Sequence, residues 1–84
     1  MSYQLIFHPQ AGKEYMEAYQ RYERAQKGLG ERFEKMAEQR MRQIVEHPEN
    51  YSISKAHYRE IAIEFFPYTI VYKVNKKQKL IYMK

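Results

Sequence analysis

Cysteine is absent from this chain, which excludes disulfide bridges and thiolate metal sites. Tryptophan is absent as well, although nine tyrosines are present. No apolar run approaches the roughly 20 residues that a membrane-crossing helix needs. Met1 to His8 has no basic segment leading into an apolar one, so a secretory leader is not expected there. No repeat, phosphate-cradling glycine loop, dinucleotide fingerprint or serine-centred nucleophile motif is present. His8, His47 and His57 are scattered, and no His/Asp/Glu group has ligand spacing, so no metal and no cofactor is expected. Acid is missing from the last 20 residues. Phe65 to Lys84 carries Lys73, Lys76, Lys77, Lys79 and Lys84 unopposed, whereas the preceding 64 residues hold ten charges of each sign. The whole excess of +5 therefore lies at one end. Such a stripe suits nucleic acid or an acidic partner, or a lysine-guarded hairpin and edge strand that resist aggregation.

What is there fits one small domain over residues 1–84 with a modest core, stable by about 5 kcal/mol or less. A cytoplasmic protein without a membrane segment is expected. Tyr3 to Phe7 is branched and aromatic, as in a strand, and His8-Pro9 ends it. From Pro9 to about Gln26, Ala11, Tyr15, Ala18, Tyr19, Tyr22 and Ala25 recur at helical spacing. Lys13–Glu17 and Glu23–Lys27 pair on the wet side of that helix. After Gly28-Leu29-Gly30, a second helix is predicted from about Glu31 to His47, with Phe33, Met36, Ala37, Met41, Ile44 and Val45 on its apolar stripe. So short a connection makes a helical hairpin.

Glu49 to Lys55 is irregular, and then the period changes. Tyr58 to Phe66 alternates, with Ile61, Ile63 and Phe65 on one face. Tyr68 to Val74 alternates likewise, Asn75 to Gln78 is a link of hairpin length, and Lys79 to Met83 is a last strand. The order β-α-α-β-β-β gives an α+β fold of two layers: an antiparallel sheet covered on one face by the helical hairpin.

Five stretches carry a resemblance. Phe7-His8-Pro9-Gln10-Ala11, Gly28-Leu29-Gly30-Glu31-Arg32-Phe33, His47-Pro48-Glu49, Tyr58-Arg59-Glu60-Ile61 and Phe65 to Val74 occur in the order and spacing of the RelE/ParE (plasmid-stabilisation) toxins, and the chain resembles the ParE-like branch. The resemblance implies the toxin of a type II toxin–antitoxin pair, neutralised by a cognate antitoxin and acting by binding and inhibiting a target such as DNA gyrase. The alternatives are a RelE-like endoribonuclease acting on ribosome-bound mRNA and a degenerate, harmless antitoxin-binding homologue. Two departures stand out. Relatives usually continue past the last strand with a segment carrying His or Arg, whereas this chain stops at Lys84. The residue after Tyr68, where the ribonucleases carry arginine, is Thr69.

Cleavage of RNA needs a group to activate the 2′-hydroxyl, a cation for the developing charge and an acid for the leaving oxygen. No catalytic set is assigned. The side chains nearest those roles are Arg59, Tyr72 and Lys73, although Tyr68 and Tyr72 share a face with Ile70 and Val74 and read as core. Target or nucleic-acid contact falls to Lys73, Lys76, Lys77, Lys79 and Lys84. For the antitoxin, Met16, Tyr19, Tyr22 and Met41 are expected to line a groove on the helices, and an outer strand offers an edge for β-augmentation.

Overall fold

The computed structural model describes residues 3–53 and 57–84. The predicted ends of the irregular Glu49–Lys55 stretch and of the Met1–His8 segment thus fall partly outside the described residues. Chain order is β1 (Gln4–Phe7), α1 (Pro9–Ala25), α2 (Leu29–Glu46), β2 (Arg59–Ala62), β3 (Thr69–Asn75) and β4 (Leu80–Met83).

His8 stops β1 and starts α1. Its backbone is extended, its Nδ1 accepts from the Gln10 amide at 3.1 Å, and Pro9 supplies a first helical residue that needs no donor. The His8 amide itself donates to the Met83 carbonyl at 3.1 Å, so the cap is tied to the sheet. The α1–α2 turn is tighter than the sequence predicts, and α2 begins at Leu29, not near Glu31. Gly28 takes φ 89°, where a Cβ would be strained. The Glu23 carboxylate then accepts from the Gly28 and Gly30 amides, each at 2.9 Å. Glu23 was expected to pair with Lys27 on the surface. Its hydrogen bonds go to the start of the next helix, whose unpaired amides it caps, while the Lys27 charge adds a smaller pull of the expected sign. Those bonds, Gly28 first, hold its carboxyl below the usual range against a smaller opposing effect of desolvation. Gly30 marks the closest approach of the helices: a Cβ there would lie 2.8 Å from the Tyr19 carbonyl oxygen.

The sheet order is β1-β4-β3-β2. β2, β3 and β4 form the expected antiparallel meander, but β1 runs parallel to β4, with Leu5 beside Ile81 and Phe7 beside Met83. The sheet is therefore mixed. β1 reaches its neighbour only through the rest of the chain, so no tight turn dictates its direction.

Ile61, Ile63, Ile70, Tyr72, Ile81 and Met83 face the helices and are buried against Ala18, Phe33, Ala37 and Ile44. Phe33, fully buried, is the hub of an aromatic cluster, with ring centroids 5.0–5.5 Å from Tyr15, Tyr22, Phe66 and Tyr68. The alternation read through Phe66 fails at its end. β2 stops at Ala62, and a hydrogen-bonded turn follows, with Phe66 N–H to the Ile63 carbonyl and Ile63 N–H to the Tyr68 carbonyl. That turn puts Phe65 outside, 72% exposed, and Phe66 into the cluster.

Candidate functional site

Two of the three side chains nearest to a catalytic role are built into the scaffold. Tyr72 is fully buried, and its hydroxyl donates to the Pro48 carbonyl at 2.9 Å. Burial, tempered by nearby Arg59, pushes that hydroxyl up to about 12. The Arg59 guanidinium donates to the Tyr51 carbonyl at 2.7 Å and the Glu49 carbonyl at 3.1 Å. Together they pin the segment leaving α2 onto β2 and β3, where Ile53 also bridges Arg59. Lys73 alone of the three stands exposed.

Lys73 belongs to the sheet's outer face, the one without helices. Strand alternation and register place Glu60, Val71, Lys73, Tyr82 and Ile6 there. Two open depressions meet at Tyr58, one on this face and one at the end of the sheet beside α1. One, of about 520 Å³, is lined by Tyr58, Lys73, Lys76, Lys77 and Tyr82, among others. The second, of about 550 Å³, lies toward the start of α1 and collects His8, Gln10, Glu14, Tyr58, Tyr68 and Lys84. Tyr58 borders both, with the Lys84 ammonium 5.1 Å from its ring centroid. The Lys84 amide donates to the Val71 carbonyl at 2.9 Å, which holds this residue against the sheet. Tyr68 is raised by burial and then by Glu14, so its hydroxyl stays protonated near neutrality.

The five lysines are placed differently, and Lys76 is the one among them paired with a carboxylate among the described residues. Lys76 pairs with Glu49 at 2.8 Å, Lys79 lies 5.1 Å from the Tyr3 ring, and Lys84 lies over Tyr58. Lys73 and Lys77 share the first depression. The Lys76 contact lowers the Glu49 carboxyl and raises the Lys76 ammonium. Among the described residues, no group of three or more His, Asp or Glu side chains could hold a metal ion. No described helix is long and apolar enough to cross a membrane.

The four side chains expected to line an antitoxin groove are dispersed. Tyr22 packs in the aromatic cluster, against Phe33 and Phe66. Met41 is half-buried against the core and, with Ala11, Ala37 and Ile70, lines a small cavity nearer the start of α1. Tyr19 is half-buried against the core, and Met16 is 55% exposed. Helical spacing explains the split, since Tyr15, Ala18, Tyr19 and Tyr22 share the inward stripe while Met16 points away from it. The sheet does offer an edge: β1 is an outer strand, and Ile6 and Phe7 on it are 36% and 44% exposed. His8, Tyr58 and Glu14 were not singled out from the sequence as site residues. Only the strand register and the path of α1 bring them to Lys84.

A family model described as the ParE toxin of type II toxin-antitoxin system, parDE, matches residues 5–83. The fold is similar to that of the E. coli toxin RelE, in the free-state structure of a mutant with two arginines replaced by alanine. The TM-score is 0.72 at 20% identity, over 99% of this chain and 79% of that one. No curated protein matches the chain. With the family model spanning all four strands and both helices, the chain belongs to the ParE toxins of type II toxin–antitoxin systems.

Proposed function

We propose that this toxin acts by binding and inhibiting its target, in the cytoplasm, with DNA gyrase the target class that its ParE character favours. The observation that carries the reading is the use made of Arg59 and Tyr72. The arginine and the central-strand tyrosine that a nuclease on this sheet would want free are spent on the carbonyls of Glu49, Tyr51 and Pro48. Lys73 and Lys77 then supply exposed positive charge to a protein–DNA target, and charge acts at contact without any bond being made or broken. Neutralisation falls to a cognate antitoxin. The β1 edge, with Ile6 and Phe7 beside it, supports pairing of an antitoxin strand there.

A second reading rests on the other depression. His8, Tyr58, Glu14 and Lys84 gather at one open cleft, a set with proton-transfer and cation roles that suits cleavage of ribosome-bound mRNA. The two are separated by one pair of assays on the purified protein: gyrase supercoiling, and cleavage of mRNA on programmed ribosomes. Loss of supercoiling with intact mRNA is expected. Cleavage without gyrase inhibition would move the assignment to the nuclease, and inactivity in both would leave a harmless antitoxin-binding homologue.

A further inference from the structure

The helix-free face of the sheet carries aromatic and basic surface that the core does not use. Register and alternation set Ile6, Tyr82 and Lys73 side by side in one row across β1, β4 and β3. Because Arg59 of β2 lies opposite Tyr72 in an antiparallel pair, Tyr58, one residue earlier, falls beside Lys73 in the same row. The row therefore reads tyrosine, lysine, tyrosine, with the two tyrosines two strand spacings, or about 10 Å, apart. Tyr82 is 39% exposed although Ile81 and Met83 on either side of it are buried, so its ring belongs to the surface. The open depression over this row adds Lys77 to Tyr58, Lys73 and Tyr82. Glu60, the one acid among the outward strand positions, lies one row along, opposite Val71.

Flat aromatic surfaces with ammonium groups between them match one kind of ligand. Unpaired bases stack on such rings whatever their identity, and lysines follow the phosphates that link them. A duplex fits poorly, since its bases are already stacked on one another and this face raises no helix or ribbon to enter a groove. An acidic peptide would satisfy the lysines and leave the rings without planar partners. We propose that the Tyr58–Lys73–Tyr82 row is a binding site for single-stranded nucleic acid, which stacks bases on the two tyrosines and lays its phosphates along Lys73 and Lys77. Base faces and phosphates are common to DNA and RNA, so the two sugars should bind alike. The site shares Lys73 and Lys77 with the inhibitory reading but does not rest on it, because neither gyrase nor ribosome takes part.

The probe is fluorescein-labelled oligo-dT of about 12 nucleotides, titrated with the full chain and followed by anisotropy. An abasic strand of the same length keeps the phosphates and removes the bases. Oligo-U, a duplex and polyglutamate are the other comparisons. Oligo-dT and oligo-U should bind with equal affinity, and the abasic strand about tenfold or more weaker. Tyr82→Ala should weaken oligo-dT about tenfold and leave the abasic strand unaffected, a split that loss of folding does not produce. Tyr82→Phe, which keeps the ring, should bind as the parent does. Lys73→Gln should instead weaken both strands and lower the salt slope by about 0.7. The proposal is overturned if oligo-dT fails to bind, if the abasic strand binds as tightly, or if Tyr82→Ala binds oligo-dT as the parent does. A tenfold preference for one sugar, or tighter binding of the duplex or polyglutamate, overturns it as well.

Discussion

Tyr72 illustrates how a residue that reads as a reactive group can be a beam. Its ring is buried in the centre of the sheet and its hydroxyl satisfies the Pro48 carbonyl just after α2. Tyr72→Phe keeps the ring and orphans that carbonyl. A loss of about 1–3 kcal/mol is expected from urea unfolding, the range for a buried group left unsatisfied. If the binding mechanism is right, gyrase inhibition by the folded variant should be unchanged; loss of inhibition at full folding would return Tyr72 to the chemistry. Titration adds a second signature. Burial lifts both Tyr15 and Tyr72 from 10.0 to about 12, Tyr15 with help from Glu34 and Glu38. Groups raised in this way stabilise the folded state below their unfolded value, and the contribution is lost as pH rises through the folded one. Unfolding should therefore become easier between pH 10.0 and about 12, and Tyr72→Phe should show a shallower decline in the same melts.

Among the elements, the α1–α2 corner carries the tightest constraint. Gly30→Ala would push a methyl group to 2.8 Å from the Tyr19 carbonyl, and backbone cannot yield as a side-chain end can. A cost of about 1–3 kcal/mol in thermal or urea denaturation is expected, as for other overpacked sites. Glu23 at this corner has a depressed carboxyl, so its stabilisation is present above the unfolded value and is lost as pH falls through the folded one. Glu49 shares that sign, and so the informative quantity is the difference between parent and Glu23→Gln across the acid limb. That difference should shrink as the carboxyl protonates.

Legibility also divides by element. The helices were readable because Phe33, Ala37 and Ile44 recur at a period that nothing interrupts, and Gly28 and Pro48 punctuate their ends. The period of two in Arg59–Ala62 and Thr69–Asn75 was equally plain. What failed was local or distant. Phe65 and Phe66 exchange sides because a positive φ resets the alternation, and two adjacent phenylalanines give no hint of which turns inward. The direction of β1 is set by pairing across the whole chain, which no local pattern records. The cleft beside the start of α1 escaped notice for the same reason, since His8, Tyr58 and Lys84 meet only through strand register and the path of α1.

At the scale of the whole molecule, the lysines gathered at one end of the sequence do not share one setting. Although five lysines crowd the last 20 residues, contacts with Glu49, Tyr3 and Tyr58 engage three of them. Lys73 and Lys77 remain as the pair sharing one depression. If this surface meets phosphates of target-bound DNA, each neutralised contact contributes about 0.9 to the slope of log affinity against log salt. Lys73→Gln with Lys77→Gln should then reduce that slope by about 2 and weaken binding most at low salt. Lys76→Gln is the internal comparison, because its ammonium already serves Glu49. It should alter the slope little, while detaching the β3–β4 turn from the segment after α2. A slope that responds equally to all three substitutions would mean that long-range attraction by net charge, rather than this depression, draws the target in.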